Sequence, residues 1–356
     1  MTRRFSSKLP LRKNCLVRKP TGAKSEVRYP RRVISSFRRF CGNSAVVGAA
    51  VLIISSGVGA PALPPSSEDI QFQALPLERS QQNHLLVRAL INDKPARLVV
   101  DTGAPVSAIA LNRRKYFGLT SIPVKSNLPT RLQINGGFNS VAIARRFKLG
   151  ALGLLDEPVV LIDLSSSSRA AKALNEEPID GILGADILLP TSALVDCQTQ
   201  RLIMKVDPRL PGTVPGYDFR GHRPVPLHLS KNYNLYVDGK INGTAARLMV
   251  DTGAFTTLMH RNFIRNMKLP LRKTRYSSAG VNLKERGLHL ATINRLSIGN
   301  VHLRRKEVGV MDLEGLIHGG LLEAKPPVAG LLGSEILKRY HGIIDFGTLT
   351  LYLKHK

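Results

Sequence analysis

Cysteine is nearly missing from this chain. Of three in 356 residues, Cys15 and Cys41 fall within the first 44, so a product cut after them keeps Cys197 alone and forms no internal disulfide. The fold must then stand on burial, and Cys197, next to an apolar strand, reads as a small core residue. Metal-ligand spacing is missing as well. The nine histidines are scattered, with no His-x-x-x-His and no Cys-x-x-Cys, which argues against a metallopeptidase, so no metal and no cofactor is expected. There is no Gly-x-Ser-x-Gly and no phosphate-cradling glycine loop. Aromatics make up 5% and do not interleave with basic runs such as Leu271-Arg272-Lys273-Thr274-Arg275 or Arg304-Arg305-Lys306. Those runs read as solvated faces, or as a surface for acidic partners or anionic membrane, and no nucleic-acid partner is expected.

Acidic residues are scarce too, 25 against 52 Lys plus Arg, for a net charge of +27. The excess is uneven, because residues 1–44 hold 13 basic residues and one acid, Glu26. This basic leader precedes the apolar run Ser44–Ala62, and residues 1–62 therefore read as an export signal, with small residues at Ala60-Pro61-Ala62 for cleavage, or as a membrane anchor. An organelle transit peptide fits the same pattern, and Arg31-Arg32 or Arg38-Arg39 is a poor twin-arginine match. The expected location is exported, periplasmic or extracellular, anchored if residues 44–62 are retained.

What the chain does have is a repeated stretch. Ala96-Arg97-Leu98-Val99-Val100-Asp101-Thr102-Gly103-Ala104 returns as Ala246-Arg247-Leu248-Met249-Val250-Asp251-Thr252-Gly253-Ala254, an offset of 150. In each copy a buried-strand pattern ends on an acid, a hydroxyl and a glycine. The register extends both ways. Ile91-Asn92 matches Ile241-Asn242, and the turns Asn92–Pro95 and Asn242–Ala245 are of hairpin type. Short helical turns are expected over Leu111–Phe117 and His260–Met267, followed by glycine-containing polar loops around Gly136-Gly137 and Gly280. Downstream, Gly181-Ile182-Leu183-Gly184-Ala185-Asp186 matches Gly330-Leu331-Leu332-Gly333-Ser334-Glu335 at offset 149, and Val195-Asp196 matches Ile344-Asp345. Asp186 and Glu335 are expected to cap a short helix or to pair with a basic neighbour.

The chain is thus read as mainly β, with an N-terminal lobe at 63–207, a linker at 208–226 carrying five prolines and three glycines, and a C-terminal lobe at 227–356. Two insertions, Ser165–Asp180 with its four-serine run and Glu314–Val328, read as surface loops that could border a cleft. If the two lobes meet about a pseudo-twofold axis, Asp101 and Asp251 stand side by side and share one proton, so that one can deprotonate a water while the other donates to a substrate carbonyl. Gly103 and Gly253 would let backbone amides approach the carboxylates. Thr102 and Thr252 would either reach across the axis or make only local strand-end bonds. Ala104 and Ala254 have no hydroxyl to donate, which should leave the pair less acidic than serine would.

The two Asp-Thr-Gly-Ala motifs, each followed some eighty residues later by Ile182-Leu183-Gly184 or Leu331-Leu332-Gly333, resemble the retropepsin-like aspartic proteases. The likeness is closest to bacterial exported members, with both lobes in one chain as in pepsins, and covers roughly Leu85 to Leu353. It implies two homologous acid-protease-type β-barrel lobes with the active-site cleft between them, and an aspartic endopeptidase acting on peptide or protein substrates as a monomer. It further implies that Asp101 and Asp251 are catalytic, that Gly184 and Gly333 brace their loops, and that the hairpins at Gly136, Gly137 and Gly280 are flaps. Neither hairpin has the pepsin flap tyrosine, although Tyr276 lies just before the second. The alternative is a non-catalytic protein of the same fold that holds peptides or cell-envelope polymer.

Overall fold

The computed structural model describes residues 71–122, 133–134, 137–138, 140–280, 283–319, 321–323 and 325–354, all within the compact unit Leu63–Lys356. The leader reading at 1–62 and the flap position Gly136 lie outside these residues. Among the described residues no helix is long and apolar enough to cross a membrane.

Strands build each lobe. In the first, Leu85–Ile91 and Lys94–Val100 form a hairpin. The turn Asn92-Asp93 has positive φ at both residues (48° and 64°), the twist that a two-residue hairpin requires. The sheet continues through Gly181–Leu183, Ala108–Ala110, Leu152–Ile162 and Val141–Leu149, then closes where Leu90 and Ile91 meet Lys148 and Phe147. This six-strand ring is a closed barrel. The second lobe repeats it with Leu235–Ile241, Thr244–Val250, Val328–Leu332, Leu258–His260, Val301–Met311 and Leu283–Ile298, closing at Gly239–Ile241 against Leu296–Ile298. Its turn, Asn242-Gly243, is again positive in φ. Alternation explains the closure: Leu85, Val87, Leu98, Phe147 and Leu149 point inward with essentially no exposure, as do Leu235, Val237, Leu248, Leu296 and Ile298.

A third sheet joins the lobes. Its order is Phe72–Pro76, Arg201–Lys205, Leu194–Asp196, Ile343–Asp345, Thr350–Lys354, His222–Pro226, three strands from each half. The halves meet where Leu194, Val195 and Asp196 pair antiparallel with Asp345, Ile344 and Ile343. The proline-rich segment 208–226 therefore ends in a strand, and Pro224 and Pro226 are tolerated because that strand is an edge. Cys197, directly after Leu194–Asp196, is buried, and burial pushes its thiol up to about 12.

The two insertions are not plain loops. Each opens on a helix, Ser165–Ala173 and Glu314–His318. The serine run suggested irregular chain, but the Asp163 carboxylate accepts the Ser165 N–H (2.9 Å) and the Asp312 carboxylate accepts the Glu314 N–H (3.0 Å). That supplies the start signal for each helix.

Candidate active site

The paired Asp-Thr-Gly loops lie at the ends of Lys94–Val100 and Thr244–Val250, and each is held from behind by its own barrel. Parallel pairing carries Ile182-Leu183 along Val99-Val100 and Leu331-Leu332 along Met249-Val250. The last rung donates Asp101 N–H to Leu183 O (3.0 Å) and Asp251 N–H to Leu332 O (3.1 Å). The next residues turn away. Gly184 is packed so closely that a Cβ there would lie 2.6 Å from the Val106 carbonyl carbon, and Gly333 meets Thr256 in the same way. Ala185 N–H then donates to Ala104 O and Ser334 N–H to Ala254 O (2.9 and 2.8 Å). The expected bracing glycines thus sit against the backs of the two loops.

The loops meet each other. Thr102 N–H donates to Thr252 Oγ1 (3.0 Å) and Thr252 N–H to Thr102 Oγ1 (3.2 Å). Each hydroxyl in turn donates across to the other lobe's strand, Thr102 to Val250 O (2.8 Å) and Thr252 to Val100 O (2.6 Å). Both threonines are fully buried. Of the two readings left open for them, the cross-axis one describes the geometry.

This lock brings Asp101 and Asp251 together as hydrogen-bonding partners. Gly103 N–H donates to Asp101 Oδ1 (2.9 Å), while Gly253 and Ala254 N–H donate to Asp251 Oδ1 (2.8 and 2.9 Å). Removal from water pushes both carboxyls up from the usual range, and Asp251 goes further because the Asp101 charge adds to its desolvation. The amide bonds offset part of this. No side chain fits between the loops: a Cβ on Gly103 would stand 2.7 Å from the Asp251 carboxyl carbon, and one on Gly253 would run into the Asp101 carboxylate. Gly253→Ala should therefore displace the Asp101 carboxyl from Asp251, a shift that a crystal structure of the variant would show.

Around the carboxylates lies a cleft of about 350 Å³. Both insertions line it, through Ser166, Ser167 and Ala170 on one side and Leu316, Leu321 and Leu322 on the other. His84 also lines it, its ring bonded to the Gly253 backbone and its pKa lowered chiefly by burial. Sequence reasoning passed over His84. The signal was its mismatch with Asn234 at the same offset of 150. Gly280 ends the strand Arg272–Gly280, which runs beside helix Ser165–Ala173, and Gly137 lies in the two-strand hairpin Gln133–Ile134 with Gly137–Phe138.

Asp186 and Glu335 bind the loops instead of capping the short helices, and Glu335 also has the basic partner expected of it. Asp186 accepts from Ser107 N–H (2.8 Å) and Ser107 Oγ (2.7 Å), and Ser107 Oγ accepts from Gly184 N–H (3.0 Å). Glu335 accepts from Thr257 N–H (2.8 Å) and pairs with Lys306 (3.5 Å). The residue matching Lys306 in the first lobe is Glu157, so an ion pair in one lobe is an acid pair in the other. Burial first and then the Asp186 charge push Glu157 up to about 7. Because that folded-state pKa lies above the ordinary 4.5, the folded protein holds the proton more tightly. The resulting stability is fully present below about pH 4.5 and is lost as pH rises to about 7. Thermal melts should show this fall. Glu157→Gln should flatten it, and Glu157→Lys should raise the melting temperature at pH 8 by restoring the second lobe's pairing.

The sequence matches the model of the family described as Aspartyl protease twice, over residues 87–187 and 237–336. A crystal structure of a retropepsin-like aspartic protease from Rickettsia conorii is similar over 38% of this chain and 91% of that one, at 20% identity and a TM-score of 0.29. No curated protein matches. With one match in each barrel and more than half of its length covered, the chain belongs to the aspartyl protease family, with two lobes in one polypeptide.

Proposed function

We propose that the protein is an aspartic endopeptidase that hydrolyses peptide bonds with a water held between Asp101 and Asp251. The observation that carries this reading is the pairing of two desolvated carboxyls, one from each lobe, on the floor of a cleft. Two such groups cannot both ionise, so the pair keeps one proton over a broad range and titrates as a unit. The charged member takes a proton from water as it attacks the carbonyl. The protonated member donates to the carbonyl oxygen, and the proton is passed to the leaving amine as the tetrahedral intermediate collapses. Thr102, Gly103, Thr252 and Gly253 keep the pair in place, and the segments at Gly136, Gly137 and Gly280 are assigned as flaps.

Holding peptide or cell-envelope polymer without cutting gives no use for two acids in apposition, since each is costly to bury unpaired. Cleavage of a denatured protein or a peptide library by the purified chain tests the proposal, and no cleavage between pH 3 and 8 would end it. Because both carboxyls are raised and Ala104 and Ala254 donate no hydroxyl, the single-proton window should extend to weakly acidic or neutral pH. A profile that peaks only below about pH 3 would contradict this.

We also assign one active site to each monomer and an exported location, supported by the fused lobes and by the basic, then apolar, N-terminus. N-terminal sequencing of the protein from cells should begin at Leu63 if the signal is removed.

A further inference from the structure

Duplication allows each half of the cleft to be compared with the other, position by position, and the halves differ. In the first lobe the row Val99, Ile182, Ala108 crosses three neighbouring strands, and the matching row in the second lobe is Met249, Leu331, Leu258. The first row carries an alanine and β-branched residues, whereas the second carries longer side chains. The insertions widen the contrast, with Ser166, Ser167 and Ala170 facing Leu316, Leu321 and Leu322. The second-lobe leucines pack with Met249, Leu258 and Leu331 in a ten-residue buried cluster, while the first-lobe counterpart has six and includes two alanines, Ala108 and Ala110. Room in the cleft is therefore concentrated on the first-lobe side.

The chemistry at that side differs too. His84 lines the cleft and also, with Ser167 and Ile179, a smaller pocket that adjoins it. The ring also meets the Gly253 backbone. A neutral imidazole keeps one nitrogen as an acceptor. At the matching place Asn234 is buried, donates its amide N–H to Leu321 O (2.6 Å) and is not among the residues that line the cleft.

We propose that the cleft is asymmetric in what it accepts. The first-lobe half takes a large substrate side chain with a hydrogen-bond donor at its tip, tyrosine being the natural fit, and His84 receives that donor. The second-lobe half takes a small apolar side chain. This rests on the peptidase reading and makes His84 a specificity-determining residue within it.

The test compares kcat/KM for fluorogenic peptides that carry Tyr, Phe or Val at each position flanking the scissile bond. At one position and not the other, the wild type should prefer Tyr over Phe about three- to tenfold, the range of one hydrogen bond. It should prefer Tyr over Val there by about tenfold or more, the scale of several methylenes in a pocket. His84→Leu should bring the Tyr/Phe ratio to about one. Ala108→Leu, which copies Leu258, should cut the Tyr/Val ratio severalfold and supports the proposal even if the His84 variant does not fold. Cleavage with the same preference at both positions, or a Tyr/Phe ratio unmoved by His84→Leu, overturns this inference and leaves the peptidase reading standing. Failure to cut any peptide overturns both.

Discussion

Asp101→Asn and Asp251→Asn are each expected to lower kcat on a peptide substrate by about 100- to 10,000-fold or more, the share that general acid–base catalysis supplies, with the melting temperature unchanged or higher at pH 7. The split follows from the geometry. Each carboxyl is desolvated next to the other, and Asp251 is raised partly by the Asp101 charge, so a neutral amide of the same shape relieves a repulsion. The same amide accepts no proton from water and removes the shared proton on which both steps depend. Activity measured on each single variant, together with thermal melts, checks the pair. A variant that keeps a tenth of wild-type turnover would remove its aspartate from the chemistry.

Thr252→Val should be strongly destabilising at the centre of the protein. The hydroxyl accepts from Thr102 N–H and donates to Val100 O, so its loss strands two buried backbone groups at once. At about 1–3 kcal/mol for each unsatisfied group, the cost is about 2–6 kcal/mol, a large part of the stability of an ordinary domain. Thr102→Val should cost a similar amount, because Thr102 Oγ1 accepts from Thr252 N–H and donates to Val250 O. Thr252→Ser keeps the hydroxyl and should recover most of the loss. The two side chains are in contact but break different hydrogen bonds, so the double variant measures how far their costs depart from the sum. Chemical denaturation of the single, double and serine variants reads all of this. A Thr252→Val cost below about 1 kcal/mol would mean that the lobes are held by the joint sheet alone.

Much of the fold could be read from the offset between the two copies. The hairpin turns Asn92-Asp93 and Asn242-Gly243, the Asp-Thr-Gly ends and the Gly184 and Gly333 turns are local patterns, and a repeat makes each one visible twice. Long-range pairing is what stayed out of sight. Nothing in Val195-Asp196 or Ile344-Asp345 states that they pair with each other across the axis, because either strand could equally have ended its own lobe. The four serines at Ser165–Ser168 concealed a helix whose start signal, Asp163, stands two residues earlier. At the site, Asp186 and Glu335 were noticed as acids, but the partners that define their work, Ser107 and Thr257, lie almost eighty residues away in sequence. The places where the copies disagree, Glu157 against Lys306 and His84 against Asn234, are the ones that a reading guided by similarity passes over.

The central claim is that two lobes of one chain make one site around a single shared proton. Titrating the purified monomer with a pepstatin-type peptide inhibitor, whose hydroxyl mimics the tetrahedral intermediate, tests it most directly. The expected result is one inhibitor bound per chain, with affinity independent of protein concentration and lost in Asp101→Asn and in Asp251→Asn alike. Binding that survives either substitution, or that appears only as two chains associate, would contradict it.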